Sequence, residues 1–265
     1  MLTLNTEKML AEKADGIGWM TFNNPARRNA TSLEMWQAIA DIVADFGADP
    51  AVRVVVMRGA GDKAFVSGAD ISQFEDQRAD AEAARRYNQV AEGARAAMAG
   101  LEKPFIAMIR GYCLGGGVAI AMAADLRIAS DDACFGIPAA RLGIAYGMGY
   151  LKKLVDLVGP AYAKEILLTA RRLSAQEALR IGLVNRVVPV ADLEAAVRET
   201  CATIIDNAPL SLIANKAIID EIAKDPAERD PARMEELARR CFDSADYAEG
   251  RRAFMEKRKP VWTGR

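Results

Sequence analysis

The sequence predicts an α/β fold with a parallel-sheet core and a helical C-terminal part. Three observations carry that expectation. Short apolar runs such as VRVVVMRG (52–59) and PFIAMIRG (104–111) have the length and composition of buried strands. Longer segments of helical pattern separate them, the alternation that builds a parallel sheet. From about residue 192 onward only helical pattern remains.

Taken in order, residues 7–13 and 16–22 read as two strands joined by a hairpin turn at Ala14-Asp15-Gly16. NNPARRN (23–29) is a loop. Thr31 or Ser32 then caps a helix through about Asp45, with Leu33, Trp36, Ile39 and Val43 on one face. Strands are expected at 52–59 and, more briefly, at AFVSG (64–68). A charged, Ala-rich helical region runs from about Gln73 to Gly100. The strand at 104–111 leads through three glycines into a helix to about Asp125. LRIAS (126–130) and ACFGI (133–137) are short strands, followed by helices near 147–157, 160–170 and 174–181. The last opens on Ser174 and Glu177, spaced as a capping box. LVNRVVP (183–189) is a final strand. Asp230-Pro231 supplies a cap and first residue for a late helix, and Lys259-Pro260 ends another. The chain divides into a core over 1–200 and a helical region over 201–265.

Bulk numbers narrow the function. Apolar residues are 51 % and charged residues 27 % of the chain, and 35 basic side chains face 36 acidic ones. That balance offers no electrostatic case for nucleic acid or an anionic membrane. The longest charge-free apolar stretch, 111–124, is short of the ~20 residues a bilayer span needs. The N-terminal stretch lacks the basic head and apolar run of a signal peptide, so cytoplasm is the expected compartment. Four scattered cysteines without CxxC spacing read as reduced thiols, and no metal is expected. Histidine is absent altogether. This removes Ser-His-Asp and Cys-His machinery, HExxH zinc sites and any histidine base.

GYCLGGGVA (111–119) is the most informative stretch. Without Cβ atoms, Gly115, Gly116 and Gly117 let a ligand approach the backbone where a strand runs into a helix, beside N–H groups that have no intrahelical partner. Such amides suit a phosphate or the oxygen of a polarised carbonyl. Tight helix–sheet packing is the competing explanation. LGGGVA does not supply the GxGxxG of a dinucleotide site. AFVSGADI (64–71) repeats the logic: a short strand, then a turn whose amides can face the first set.

These two segments, with NNPARRNA upstream, PAARLGIAYG downstream, LTARRLSAQEALRIGLVNRVVP (168–189) and the tail FMEKRKP (254–260), resemble the crotonase superfamily of enoyl-CoA hydratases and isomerases. The resemblance is collinear over nearly the whole chain. It implies a spiral of β-β-α units, with the C-terminal helices driving assembly into a homotrimer or homohexamer. It also implies an acyl-CoA thioester as substrate, with coenzyme A as part of that substrate and no separate cofactor. By that resemblance the N–H groups of Ala69 and Gly116 form an oxyanion hole. The loop from Ala26 through Arg27 and Arg28 to Asn29, and the stretch with Ser67, Asp70 and Ile71, contact coenzyme A, the two arginines being candidates for its phosphates. Phe254 and Lys257 match tail positions that reach a neighbouring subunit's coenzyme A.

One departure matters for chemistry. Hydration needs water activated at Cβ and a proton delivered at Cα, tasks suited to carboxylates. In the family's hydratases two glutamates serve; the matching positions here are Ala119 and Ala139. The dehalogenases' aspartate position falls on Gly147. Glu75 and Asp76 are other acids near the expected acyl pocket. PAARLGIAY aligns without a gap on the corresponding segment of methylmalonyl-CoA decarboxylase, which has a tyrosine at the position of Tyr146, although a histidine stands there in place of Ala69. The expectation is therefore an acyl-CoA enzyme that stabilises a thioester enolate without classical hydration. Decarboxylation of a malonyl-type thioester using Tyr146 and non-catalytic acyl-CoA binding are the alternatives.

Overall fold

The computed structural model describes residues 2–70 and 81–265. Ile71, Glu75, Asp76 and the start of the charged helical region expected from Gln73 lie outside the described residues. The chain divides into two compact units, Met1–Leu101 with Phe105–Arg198, and Glu102–Pro104 with Glu199–Arg265.

The first unit holds two sheets. β1 (Met9–Ala14) and β2 (Ile17–Phe22) form an antiparallel hairpin with Ala14 opposite Ile17. Its two-residue turn needs positive φ at both positions, and Asp15 (φ 55°) and Gly16 (φ 77°) supply it. β2 continues in parallel with β3 (Val54–Gly59), β5 (Phe105–Ile109), β7 (Leu126–Ser130) and β10 (Arg186–Val188), giving the order β1-β2-β3-β5-β7-β10. The second sheet, β4-β6-β8-β9, comprises β4 (Ala64–Val66), β6 (Tyr112–Leu114), β8 (Cys134–Gly136) and the antiparallel β9 (Arg172–Ser174). Each strand of the large sheet from β3 to β7 is thus followed by one in the small sheet, so the chain climbs in repeated turns. Phe22 of β2 meets Phe65 of β4 edge-on, with ring centroids 5.7 Å apart.

α1 (Leu33–Ala48) buries Trp36, Ile39, Ile42, Val43 and Phe46, worth about 1.5–3 kcal/mol for each large side chain. It packs on α2 (Ala81–Ala99), and the Trp36 indole N–H donates to the Tyr87 hydroxyl at 3.0 Å. Ser32 takes the extended backbone of a helix cap, but its side chain makes no capping bond; its hydroxyl goes to the Glu34 carboxylate instead.

The helix after the glycines is shorter than expected: α3 spans Gly116–Ala121 rather than reaching Asp125. Asp125 explains the early stop. Its N–H donates to the Phe105 carbonyl and its carboxylate accepts the Phe105 N–H at 2.7 Å, so this residue belongs to the entry of β5. α4 (Met148–Thr169) contains the two helices expected there, broken at Gly159 (φ 75°, ψ 162°) just before Pro160. α5 (Ala175–Arg180) carries the full capping box: the Ser174 side chain accepts from the Glu177 N–H, and the Glu177 carboxylate accepts from the Ser174 N–H.

α6 (Leu193–Ile205) runs across the unit boundary. The second unit is helical, with α7 (Pro209–Ile222), α8 (Pro231–Phe242) and α9 (Ala245–Glu256). Asp230 caps α8 by accepting the Arg233 N–H. The buried Glu249 on α9 accepts from Arg252, Arg258 and the Val261 N–H, and Asp246 accepts from the Thr263 and Gly264 N–H groups, which ties the tail to the helix. Among the described residues no helix is long and apolar enough to cross a membrane.

Candidate functional site

The site is built by two neighbouring turns of the climbing chain. β4 and β6 pair in parallel with Val66 opposite Cys113. Ala69 lies three positions beyond Val66, and Gly116 lies three positions beyond Cys113. Equal offsets from one register bring both residues to the same level. A Cβ placed on Gly116 would stand 3.7 Å from the Gly68 Cα and 3.8 Å from the Ala69 nitrogen, so the two turns touch backbone to backbone.

Hydrogen bonding on each side leaves two donors over. Thr31 bridges Ala69: its N–H donates to the Gly68 carbonyl at 2.8 Å, and its carbonyl accepts the Asp70 N–H at 3.0 Å. Because N–H directions alternate along an extended segment, the Ala69 N–H then points away from Thr31. Across from it, the Gly115 N–H donates to the Gly136 carbonyl, while Gly116 opens α3. Among the described residues the Ala69 and Gly116 amides have no backbone partner. α3 is only six residues long, so these two amides rather than a long helix dipole define the local polarity.

Gly117 makes the approach possible. A Cβ there would lie 2.0 Å from the Val66 carbonyl oxygen, so only glycine lets α3 start this close to the end of β4.

The loop before α1 is fastened to the same turn. The Ser67 N–H donates to the Arg28 carbonyl, and the Ser67 hydroxyl donates to the Arg27 carbonyl. Ala26, Arg27 and Arg28 are exposed at its surface. The Arg28 guanidinium lies 5.3 Å from the Tyr112 ring, which Arg172 approaches at the same distance. Asn29 organises this loop, a role its place in a polar stretch did not reveal. It is fully buried with φ 57°, a conformation that asparagine tolerates better than most side chains. Its amide donates to the Ala60 and Ala64 carbonyls, and its side-chain oxygen accepts the Asn24 N–H.

Beside the glycines opens a cavity of about 550 Å³. Gly116, Ala119, Met122, Trp36, Tyr146 and Tyr150 line it, with Glu92, Arg95 and Lys153 contributing charge. Ala119, where a hydratase glutamate is expected, is on this wall. Ala139 is not: it lies in the short 3-10 turn Pro138–Leu142, only 6 % exposed and packed into the core. The one carboxylate among the described lining residues is Glu92, whose exposed side chain pairs with Arg95 at 3.1 Å. Arg95 in turn lies 5.1 Å from the Trp36 ring.

Tyr146 is half-buried, and its hydroxyl is 3.8 Å from where a Cβ on Gly115 would stand. Burial pushes its phenol above the ordinary tyrosine range, an effect the Arg95 charge partly offsets. At neutral pH it is a proton-bearing hydroxyl next to the glycines. Cys113 is buried beneath the turn, and burial raises its thiol far above the usual range, which leaves it unreactive.

Phe254 and Lys257 belong to the second unit. Phe254 is 82 % exposed on α9, and Lys257 ends that helix in the left-handed conformation.

A climbing chain of paired strands, with two backbone turns in contact beside a cavity, defines an α/β protein whose candidate site lies between successive turns. The enoyl-CoA hydratase/isomerase family model matches residues 12–265, and the chain belongs to that family, within the crotonase superfamily. A crotonyl-CoA hydratase of Syntrophomonas wolfei is 37 % identical over 96 % of either chain. A carnitinyl-CoA dehydratase of Escherichia coli O157:H7 is 35 % identical over 93 % of this chain and 94 % of its own. Among solved structures, an enoyl-CoA hydratase/carnithine racemase from Magnetospirillum magneticum superposes with a TM-score of 0.93 at 38 % identity, covering 98 % of this chain and 97 % of the other.

Proposed function

We propose that the protein is an enzyme acting on an acyl-CoA thioester, whose carbonyl oxygen is held by the Ala69 and Gly116 N–H groups while negative charge accumulates on it. The observation that carries this reading is the contact of the two turns, with those two amides left over between them. Preorganised donors of this kind contribute about 3 kcal/mol each to a developing oxyanion. The names of the relatives support a coenzyme A ester as ligand. Arg27, Arg28, Ser67, Asp70 and Ile71 are proposed to contact its coenzyme A moiety, with Phe254 and Lys257 reaching that of a neighbouring subunit in a homotrimer or homohexamer.

The reaction that fits the wall of the cavity forms an enolate without a carboxylate base. Ala119 carries a methyl group where proton transfer is required for hydration, and Ala139 is buried away from the wall. Decarboxylation meets this limit. The bond to the departing CO₂ breaks, its electron pair passes into the thioester as an enolate, and the carbon then takes a proton from water, leaving hydroxide. The role proposed for the Tyr146 hydroxyl is to orient the leaving carboxylate, a reading supported by its retained proton and its nearness to Gly115.

Incubation with crotonyl-CoA and, separately, methylmalonyl-CoA tests the reading. CO₂ release that is lost in Tyr146→Phe is the expected outcome. Hydration of crotonyl-CoA at rates unaffected by Tyr146→Phe would refute the carboxylate-free mechanism. Tight binding of both esters with turnover of neither would leave a non-catalytic acyl-CoA binder.

A further inference from the structure

One stretch of the cavity wall has little to hold it in place. Ala145, Tyr146, Gly147 and Gly149 line the cavity. From Arg141 to Lys153 no residue is buried, and Leu142 (57 % exposed) and Met148 (85 %) leave apolar side chains in solvent. The Gly143 and Ile144 N–H groups donate to the Ala140 and Ala139 carbonyls. Beyond them, the N–H groups from Ala145 to Tyr150 have no backbone partner among the described residues, until Leu151 donates to the Gly147 carbonyl. Gly147, at the N-cap of α4, has no side chain that could accept any of them.

The glycines of this stretch do not follow from its geometry. Gly143, at φ 67°, is in the left-handed region that favours glycine. Gly147, at φ −72° and ψ 164°, has extended backbone open to any residue, and Gly149 lies in the first turn of α4. A Cβ on either would meet nothing within 4 Å. Alanine would fit both, and at Gly149 it would favour the helix about fivefold. The first turn is therefore built to fray. Tyr146, stacked on Tyr150 with ring centroids 4.3 Å apart, fastens the stretch, and the fully buried Leu154 anchors the helix beyond it. Glycines that one conformation does not need serve a second one, because they cross most freely between backbone regions.

Resting on the reading that this cavity receives an acyl-CoA thioester, we infer that Gly143–Gly149 is a flap, seen here in its open form, which the ligand draws closed over itself. Tyr146 travels on the flap, so closure brings its hydroxyl to the bound ester. Gly143 and Gly149 are the hinges.

Hydrogen–deuterium exchange of the full-length chain, free and saturated with butyryl-CoA, gives the first readout. Amides 145–150 are expected to exchange within seconds in the free protein and to slow by about tenfold or more with butyryl-CoA bound. Met148→Pro gives the second. Proline suits a first helical position, the Gly147 dihedrals are those that precede proline, and Met148 is outside the cavity lining. The variant should melt no lower than the wild type and bind butyryl-CoA about two- to fivefold more weakly by calorimetry, because proline favours the open form. Slow exchange at 145–150 in the free protein overturns the inference, as does protection by butyryl-CoA confined to other segments. Met148→Pro binding as tightly as the wild type also overturns it, since the form seen here would then be the bound one. So does a lowered melting temperature, since that form would then not be the free one. A wild type that binds no butyryl-CoA would instead overturn the acyl-CoA reading on which the inference stands.

Discussion

At the scale of single residues, neighbouring glycines have separable tasks. A Cβ on Gly117 would collide with the Val66 carbonyl, whereas one on Gly116 meets nothing closer than 3.7 Å. Gly117→Ala is therefore expected to destabilise the fold by about 1–3 kcal/mol, read as a lowered denaturant midpoint. Gly116→Ala should melt like the wild type yet lose thioester binding, because its methyl occupies the space between the two amides. Equal effects of the two changes on stability would contradict this division. The two alanines divide in the same way. Ala119→Glu places a carboxylate in the cavity and should leave stability nearly unchanged, with any gain of crotonyl-CoA hydration appearing in this variant. Ala139→Glu drives a carboxylate into a site only 6 % exposed and should cost about 3 kcal/mol or more by thermal or chemical denaturation.

At the scale of elements, the Ser174 capping box gives α5 a dependence on pH. The Ser174 N–H and the Arg171 guanidinium together hold the Glu177 carboxyl down to about 2, below the ordinary 4.5. Its folded-state pKa is depressed, so its contribution to stability is present above pH 4.5 and is lost as pH falls towards 2. Glu177→Gln is expected to flatten the acid limb of a stability–pH curve in that window and leave its neutral region nearly parallel to the wild type. A limb of unchanged slope would argue against the contribution. This box was legible in the sequence because it is local, as were the hairpin at Asp15-Gly16 and the long helices with their apolar faces. What escaped depends on distant partners. β9 is three residues long, with no periodicity to announce it, and exists because β8 offers an edge. α3 stops where Asp125 is drawn to Phe105, which nothing in the run VAIAMAADL signals. The two turns of the site could be recognised from their glycines, but the buried hub at Asn29 emerges only once the chain is folded.

At the scale of the whole molecule, the helical unit presents unusual apolar surface. Phe242, Phe254, Met255 and Val261 are each at least 65 % exposed, and patches of this kind mark association. Under the proposed trimeric or hexameric assembly, sedimentation should show a multiple of the chain mass, and Phe254→Asp should shift it towards monomer without unfolding the chain. An unshifted mass would remove Phe254 from the contact. In the first unit, the turns that carry Ala69 and Gly116 are brought together by the pairing of β4 with β6 and by the close approach that Gly117 permits, both features of the backbone. Replacements on the cavity wall, at 119 or 146, would redirect the chemistry and leave the proposed grip on the ester as it was, so a lineage could trade one reaction for another without first dismantling its anchor.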